Sequence, residues 1–316
     1  MKALVLLALV AFQVPAPAPT PAPAPQEKPK EKPAEKPVYD EQADGAVQIA
    51  TALARAKRDS KRVLVQWGAN WCGWCKKLDA TCRSDKDLAH EILYEYELVK
   101  IDVGHFDKHM ALVKQYGAEL EKSGIPYLTV LDGDGKVVAN QETGALEVPN
   151  EPRHDVAKVL GFLKQHEAAK PDAQKDWDAA FARAKSEGKR VWLHFGAPWC
   201  GWCHRLEDWM AQPEIAKLLA KDFVDLKIDV DRAVGAKAIQ ERFPKSSDQG
   251  IPWFAFLDAD GKTLADSNGA KGRNVGFPAS EDELAHFATM LGAARVHMTP
   301  EDVAALLASL APKKKE

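Results

Sequence analysis

One eighteen-residue pattern occurs twice in this chain, 128 positions apart. Residues 61–78 read KRVLVQWGANWCGWCKKL and residues 189–206 read KRVWLHFGAPWCGWCHRL, with eleven of the eighteen positions identical. The similarity continues in the same order through Lys-Ile-Asp-Val, Gly-Ile-Pro and an Asp-Gly turn, at 100–103, 124–126 and 132–135 in the first copy and 227–230, 250–252 and 258–261 in the second. A repeat of this length is that of a domain, since solenoid repeats are much shorter. The sequence therefore predicts two copies of one domain.

The length and composition fit two soluble domains. The chain has 316 residues, 46% hydrophobic and 28% charged, with a net charge of -3, and single domains most often have roughly 100 to 150 residues. We assign residues 39–168 to the first domain and 172–296 to the second, with the linker near 168–172. Residues 297–316 should form a helix, beginning at Thr299 and Pro300, and a basic tail. The small net charge favours no nucleic-acid partner.

The first residues of the chain indicate export. Lys2 precedes an apolar run from Ala3 to Phe12, and we interpret residues 1–14 as a signal peptide or a short uncleaved anchor. The run is shorter than the about 20 apolar residues of a membrane-spanning helix, so no direct membrane span is expected. Residues 15–38, rich in Pro, Ala, Lys and Glu, indicate an extended spacer. We expect a periplasmic or secreted protein, or one held at the membrane by its N-terminus.

The apolar pattern predicts the same order of elements in each copy. An amphipathic helix comes first, then a buried strand, and the Cys motif opens the next helix. A further helix is indicated by Ser84 with Asp87 as a capping pair, and in the second copy by Pro213 in a first turn. The other predicted helices are 46–57, 154–166, 177–185 and 281–291, and the predicted strands are 63–67, 98–103, 127–131, 137–140, 191–195 and 224–230. This order indicates an α/β fold in which helices flank a central mixed sheet.

Each copy carries Trp-Cys-Gly-Trp-Cys directly after the predicted strand. The first cysteine of each pair would lie at a helix N-terminus, where free backbone N–H groups and the helix dipole favour the thiolate that attacks disulfides. The second cysteine follows one turn later and can resolve the mixed disulfide. We therefore predict that Cys72 and Cys200 are nucleophiles and that Cys75 and Cys203 are resolving thiols.

An Ile-Pro dipeptide follows each cysteine pair after about fifty residues. Together the motifs make the chain resemble the thioredoxin family twice over, which implies two tandem thioredoxin folds. The resemblance also implies that the Ile125-Pro126 and Ile251-Pro252 bonds are cis and dock substrate backbone beside the disulfide. Only peptide bonds that precede proline readily adopt the cis form.

Four tryptophans flank the cysteines. Trp71 and Trp199 match the tryptophan that precedes the nucleophile in the thioredoxin family. Trp74 and Trp202, inside the Cys-x-x-Cys motifs, offer flat apolar surface beside the sulfur, for substrate contact or for packing against the domain. The Gly-Trp dipeptide and the residues before it are similar to those of bacterial periplasmic members.

The chain departs from the family pattern at two places in each copy. The family's buried acid aligns with Gln66 and with His194; glutamine cannot act as a base, whereas histidine titrates near neutrality. His194 is therefore a candidate proton acceptor, with a purely packing role as the alternative. The lysine that accompanies the acid aligns with Leu98 and Asp225. These differences predict two sites with different proton handling.

Other residues suggest metal chemistry less well. Two Cys-x-x-Cys pairs also occur in four-thiolate zinc sites, but each pair here belongs to a complete domain copy. Copper binding to the exposed thiolates is a chemical alternative, but the sequence has no further pattern of copper ligands. His105 and His109 fit a loop and a helix start, and residues 132–135 fit a hairpin turn better than a calcium loop. We predict no metal and no organic cofactor.

The fifth cysteine, Cys82, has no counterpart, since Met210 occupies the matching position. It lies seven residues after Cys75 on the same helix, too far for an easy bridge, because disulfides need Cα atoms within about 7 Å. We interpret Cys82 as a packed, inert side chain, with a third redox thiol as the alternative.

These features predict a thiol-disulfide oxidoreductase that acts on protein disulfides outside the cytoplasm. By resemblance the leading direction is reduction of the substrate, with a membrane-bound or soluble thiol donor as partner. The alternatives are a disulfide isomerase or oxidase, or a non-catalytic binding module such as a folding helper or metal carrier.

Overall fold

The computed structural model describes residues 36–248 and 250–311, and this part of the chain contains two four-stranded mixed sheets flanked by helices. The prediction of an α/β protein with two copies of one fold is confirmed. The predicted leader at 1–14, most of the spacer at 15–38 and the chain after Ala311 lie outside the described residues. Within 36–248 and 250–311, no helix has both the length and the apolar character needed to cross a membrane.

The first domain is arranged around its central strand β1 (Arg62–Gly68). This strand pairs in parallel with β2 (Tyr96–Asp102) and antiparallel with β3 (Tyr127–Leu131), which pairs with β4 (Val137–Glu142). The helices are α1 (Gly45–Arg58), α2 (Gly73–Ser84), α3 (Lys86–Glu95), α4 (Met110–Gln115), α5 (Leu120–Ser123) and α6 (Val156–Gln165).

The second domain repeats this topology around β5 (Arg190–Gly196). Its neighbours are β6 (Phe223–Asp229), parallel, and β7 (Trp253–Leu257), antiparallel, with β8 (Thr263–Asp266) at the edge. The helices are α7 (Ala173–Glu187), α8 (Gly201–Met210), α9 (Pro213–Leu219), α10 (Ala236–Gln240), α11 (Glu281–Ala294) and α12 (Pro300–Leu310). The last helix is capped by Thr299, as its sequence predicts.

Each central strand is covered by apolar layers on both faces. Val63, Val65 and Trp67 of β1 pack with α1, whereas Leu64 packs with Leu78 of α2 in a second cluster. Successive side chains of a strand point to opposite faces. The continuous apolar pattern of the strand therefore follows from its burial between two helical layers.

One predicted helix cap is wrong. The cap of α3 is Asp85, whose side chain accepts hydrogen bonds from the backbone N–H groups of Asp87 and Leu88, whereas Ser84 is the last residue of α2. Both are good cap residues. The carboxylate has the further advantage of a full charge at the positive end of the helix dipole. Pro213 lies in the first turn of α9, as predicted.

The two domains contact each other through buried polar groups. Arg232, on the loop after β6, donates hydrogen bonds to the carbonyl oxygens of Asp59 (2.7 Å) and Ser60 (3.1 Å) in the first domain. The same guanidinium forms an ion pair of 3.0 Å with Glu95 at the end of α3. The C-terminal end of α1 thus lies against the second domain.

Candidate functional site

In both domains a disulfide lies at the first turn of a helix. Cys72 caps α2 and is bonded to Cys75, with Cα atoms 5.3 Å apart. Cys200 caps α8 and is bonded to Cys203, with Cα atoms 5.2 Å apart. The backbone N–H of the second cysteine points at the first sulfur, with N···S distances of 3.0 and 3.1 Å. This N–H and the helix dipole would stabilise a thiolate on Cys72 and on Cys200.

A proline loop lies beside each disulfide. The Ile125-Pro126 and Ile251-Pro252 bonds are cis, as predicted. The Sγ atom of Cys72 is 3.5 Å from the carbonyl oxygen of Ile125, and that of Cys200 is 3.6 Å from the carbonyl oxygen of Ile251. Each proline directly precedes a strand, β3 or β7, that pairs with the central strand leading to the cysteines. Strand pairing therefore brings together motifs that are distant in sequence.

The tryptophans differ in their exposure. Trp74 is half-buried and meets the buried ring of His154 edge-on, with centroids 5.4 Å apart. Its counterpart Trp202 stacks on Phe277. The other three tryptophans expose about half of their side chains: Trp71 51%, Trp199 57% and Trp202 54%. Such rings offer apolar contact to a polypeptide held at the sulfur.

A family model described as thioredoxin-like matches residues 45–133 and 172–259, more than half of the chain. The chain belongs to the thioredoxin-like family. Each matched range contains one cysteine pair and its cis proline. The resemblance inferred from the motifs is thus confirmed for both domains.

Several curated proteins similar to this thioredoxin-like chain are named disulfide isomerases. The chain is 26% identical over 261 residues to protein disulfide-isomerase tigA of Aspergillus niger, covering 72% of this chain and 66% of that protein. It is 28% identical over 214 residues to protein disulfide-isomerase 1 of Dictyostelium discoideum, covering 64% and 54%. The chain thus spans about two thirds or less of the length of these relatives.

Similar solved structures match about one domain of the chain. A disulphide isomerase from Xylella fastidiosa is 36% identical and covers 42% of this chain and 98% of its own, with a TM-score of 0.37. The C-terminal domain of DsbD from Neisseria meningitidis is 22% identical, covers 40% and 97%, and has a TM-score of 0.31.

Two neutral side chains, Tyr39 and Gln66, lie directly behind the first disulfide. The hydroxyl of Tyr39 accepts a hydrogen bond of 2.8 Å from Nε2 of Gln66, and both side chains are buried. A Cβ atom on Gly68 would lie 2.2 Å from this hydroxyl and 2.9 Å from Sγ of Cys75. Burial raises the pKa of Tyr39 above its usual value. Tyr39 therefore stays protonated behind Cys75, and this thioredoxin-like domain has no base at Gln66.

Behind the second disulfide lies a carboxylate. A Cβ atom on Gly196 would lie 3.4 Å from Oε1 of Glu207 and 3.6 Å from Sγ of Cys203, so these two atoms are close to the same point. Glu207 follows Cys203 by four residues on α8 and is buried. The hydroxyl of Tyr39 lies beside Gly68 in the first domain. In the second domain, the carboxylate of Glu207 lies beside the equivalent Gly196.

Glu207 is held ionised by cations from both domains. Its oxygens lie 2.6 Å from Nζ of Lys227, 3.1 Å from Nη2 of Arg58 and 3.7 Å from Nδ1 of His204. These are ion-pair distances without hydrogen-bond alignment. Burial by itself raises the pKa of Glu207, but His204, Lys227 and His194 together lower it to about 2. The contact with Glu207 in turn raises the pKa of His204.

The first domain has an equivalent acid, Asp79, and neither Asp79 nor Glu207 was predicted from the sequence. Asp79 follows Cys75 by four residues and pairs with Lys100 of β2 and, over 2.6 Å, with Arg83. Leu98, the position expected for the accompanying lysine, lies two residues before Lys100 on the same face of the strand. The signal was available, because the acid and the lysine recur in both copies of the repeat.

His194 takes the place of Gln66 on the central strand of the second domain. Its Nε2 lies 2.9 Å from Oδ1 of Asp225, and its Nδ1 is buried without a hydrogen-bond partner among the described residues. His194 and Glu207 line one cavity of about 240 Å³ between the sheet and α8. The structure thus places His194 on the side of the sheet that carries the cysteines.

Cys82 is not activated. It is half-buried and packs against the apolar layer around Leu78 and Leu88. Burial, with the nearby charge of Asp79, raises the pKa of Cys82 to about 12. The thiol therefore stays protonated, in keeping with an inert packing role.

The remaining residues that were considered as metal ligands have structural roles. Nδ1 of His109 donates to the carbonyl oxygen of Asp102 and its Nε2 accepts from the backbone N–H of Gly45, while His105 stacks on Trp71. The carboxylate of Asp132 accepts from two backbone N–H groups of its own hairpin turn.

One group of potential metal ligands occurs within 36–248 and 250–311. Asp59, His204 and Glu207 offer ligand atoms within 4.8 Å of one another. The ammonium group of Lys227 lies 2.8 Å from Asp59 and 2.6 Å from Glu207. Because Lys227 and Arg58 together balance the two carboxylates, we interpret the group as an ion-pair cluster.

Proposed function

We propose that the chain is a thiol-disulfide oxidoreductase that acts on protein disulfides, mainly in the reducing direction, with both domains active. The observation that carries the proposal is the repeated geometry of a Cys-x-x-Cys disulfide at a helix N-terminus beside a cis proline. Such a terminus stabilises the attacking thiolate, and the second cysteine lies within reach to resolve the intermediate. Membership of the thioredoxin-like family supports the same chemistry.

The reaction proceeds by two exchanges in each domain. The thiolate of Cys72 or Cys200 attacks one sulfur of a substrate disulfide, forms a mixed disulfide and expels the other substrate sulfur, which takes up a proton. Cys75 or Cys203 then loses its proton and attacks the mixed disulfide. The second substrate sulfur leaves as a thiol, and the domain is left with the disulfide. Two electrons pass to the substrate, so a membrane-bound or soluble dithiol donor restores the domain by the same exchange.

The substrate binds across the exposed tryptophans and the proline loop. An extended substrate segment beside the first cysteine would contact the flanking rings and the backbone before the cis proline. The proposed substrate-binding residues are Trp71, Trp74, Ile125 and Pro126 in the first domain and Trp199, Trp202, Ile251 and Pro252 in the second. The partly exposed rings and the 3.5 and 3.6 Å contacts of sulfur with the isoleucine carbonyls support this placement.

We assign His194 the role of proton acceptor in the second domain. Its Nδ1 is unpartnered among the described residues and it shares a cavity with Glu207, which lies beside Cys203. The carboxylate of Glu207 is too weak a base to hold the proton of Cys203, since its pKa is about 2. An imidazole nitrogen without a hydrogen-bond partner is the better acceptor.

Disulfide isomerisation is the second candidate. It is favoured by the curated relatives that are named disulfide isomerases, and two sites on one chain suit repeated exchange on one substrate. The site of action is proposed to be outside the cytoplasm, because the sequence at 1–14 has the pattern of a signal peptide.

The redox potential of each site distinguishes a reductase from an isomerase or an oxidase. Cys72→Ser/Cys75→Ser and Cys200→Ser/Cys203→Ser variants, each with Cys82→Ser to remove the remaining thiol, are equilibrated with glutathione buffers. We expect both remaining pairs near about -270 mV, the thioredoxin value, whereas about -180 mV would indicate an isomerase and about -120 mV an oxidase. Reduction of insulin and repair of scrambled ribonuclease are measured on the same variants.

His194→Gln, which copies the side chain of the first site, is the matched control for proton transfer. We expect the resolving step of the second site to slow by about tenfold, while the first site keeps its rate. If neither domain acts on insulin or scrambled ribonuclease, the chain is a binding module and the proposed activity is wrong.

A further inference from the structure

Four buried charges connect the first domain to the disulfide of the second. Arg58 is the last residue of α1 and Asp59 is its cap; Glu207 lies on α8 and Lys227 on β6. We call these four residues the interdomain charge cluster. Their side chains are all at least four-fifths buried.

Each anion of the cluster contacts both cations. Nζ of Lys227 lies 2.8 Å from Oδ1 of Asp59 and 2.6 Å from Oε1 of Glu207. Arg58 lies 3.1 Å from Asp59 through Nε and 3.1 Å from Glu207 through Nη2. The two positive and two negative charges of these four residues balance, and half of them come from the first domain. At the edge of the cluster, His204 lies 3.7 Å from Glu207 and Asp208 lies 3.7 Å from Arg58.

The cluster ends at the resolving cysteine. Oε1 of Glu207 and Sγ of Cys203 both lie within 4 Å of the position a Cβ atom would take on Gly196. Away from water, charges interact more strongly than at the surface. A net charge on the cluster therefore changes the stability of a thiolate in the second site. An extra negative charge destabilises this thiolate, and an extra positive charge stabilises it.

We propose that Arg58 and Asp59 are positioning residues for the second site, so that the first domain sets the redox potential of the Cys200–Cys203 pair. The proposal rests on the proposed function, because it requires this pair to cycle between disulfide and dithiol. The two residues act through Glu207 and Lys227, not by touching the sulfur.

The influence runs in one direction. Asp79, the counterpart of Glu207, pairs with Lys100 and Arg83, both from its own domain. The second copy has Ser186 and Glu187 where the first has Arg58 and Asp59, and Glu187 pairs with its neighbours Arg183 and Lys189. The potential of the first site should therefore not depend on the second domain in this way.

The test measures the glutathione equilibrium of the second site in the full chain, in the Cys72→Ser/Cys75→Ser/Cys82→Ser background. Arg58→Gln leaves a net negative cluster, so the equilibrium should shift toward the disulfide. Asp59→Asn leaves a net positive cluster, so it should shift toward the dithiol. We expect shifts of about three- to tenfold in opposite directions, tenfold being about 30 mV. Arg58→Lys should restore the original value.

The controls separate charge from loosened packing. Arg55 lies on the same helix and pairs with the exposed Asp208 of the second domain, which is 3.7 Å from Arg58, so Arg55→Gln should shift the potential much less than Arg58→Gln. The first site, measured in Cys200→Ser/Cys203→Ser, should not respond to Asp59→Asn or Arg58→Gln. Unchanged potentials at the second site, or shifts of both variants in one direction, would overturn the inference alone. If the Cys200–Cys203 pair does not exchange with glutathione at all, the proposed function is overturned as well.

Discussion

At the scale of single residues, the two sites differ in the ring that packs behind the tryptophan of each motif. Phe277 stacks on Trp202, whereas His154 lies behind Trp74 and is 1% exposed. Neither ring nitrogen of His154 has a hydrogen-bond partner among the described residues. Burial, with the charge of Lys77, lowers the pKa of His154 to about 4. Burying the unpaired imidazole of His154 therefore lowers the free energy of unfolding of the first domain. The second domain has no such cost, because Phe277 is apolar.

We predict that His154 makes the first domain sensitive to acid. The unfolded chain binds a proton at this residue near pH 6.5 and the folded domain only near pH 4. Between these values the unfolded state binds more protons, so the free energy of unfolding falls as the pH is lowered, by up to about 3 kcal/mol. His154→Phe should flatten this dependence, as measured by urea unfolding from pH 7 to pH 4.

The exposed His90 provides the control for this prediction. His90→Phe should leave the pH dependence as it is in the parent chain. An NMR titration of the ring should give His154 a pKa well below 6.5. A parent-like slope in His154→Phe would contradict the assignment.

At the scale of elements, caps and strand pairs place the reactive groups. The cysteines are helix caps, the prolines precede the strands next to the central strand, and the extra helix α12 is fixed by a buried acid. The carboxylate of Asp222, before β6, accepts hydrogen bonds of 2.8, 2.6 and 3.0 Å from the backbone N–H groups of Val296, His297 and Met298. These residues form the loop between α11 and α12.

Asp222→Ala should therefore loosen the attachment of α12. Three backbone N–H groups lose their acceptor, and we expect a loss of roughly 3 kcal/mol in the free energy of unfolding. Hydrogen exchange should be faster throughout α12, while the helix carrying Cys200 stays protected. Lys221→Ala removes the neighbouring pair with Asp302, which is more exposed, and should cost less than about 1 kcal/mol. Equal effects of the two substitutions would contradict this account.

At the scale of the whole molecule, a second buried ion pair joins the domains beside the interdomain charge cluster. Arg232 bonds Glu95 and two carbonyl oxygens of the first domain, and Lys170 of the linker also pairs with Glu95. Removing one partner leaves a buried charge uncompensated, which typically costs about 3 to 5 kcal/mol. The two domains should therefore need this contact, in addition to the interdomain charge cluster, to unfold together.

Arg232→Ala should separate the unfolding of the two domains. Calorimetry should show one transition for the parent chain and two for the variant, and small-angle X-ray scattering should show a larger radius of gyration. Arg55→Ala, at the exposed edge of the same contact, should keep a single transition. A single transition in Arg232→Ala would show that the interdomain charge cluster suffices to couple the domains.

Much of the fold could be predicted because its signals are local. The duplication gave two domains, the apolar runs gave the central strands, and the Cys-x-x-Cys and Ile-Pro motifs gave the two sites with their cis bonds. The error at Ser84 is of the same local kind, since adjacent Ser84 and Asp85 are both good caps and only the backbone decides between them.

The sequence by itself determined which chemistry the chain carries, since four cysteines in two identical local frames need only a strand, a turn and a helix to become redox sites. Only the tertiary structure decided what surrounds each sulfur. Tyr39 reaches Cys75, and Arg58 reaches Glu207, across 36 and 149 residues of chain. Contacts of this length depend on how helices and domains pack, and no local pattern encodes them. The two Trp-Cys-Gly-Trp-Cys motifs are thus the same in sequence and differ in electrostatic environment.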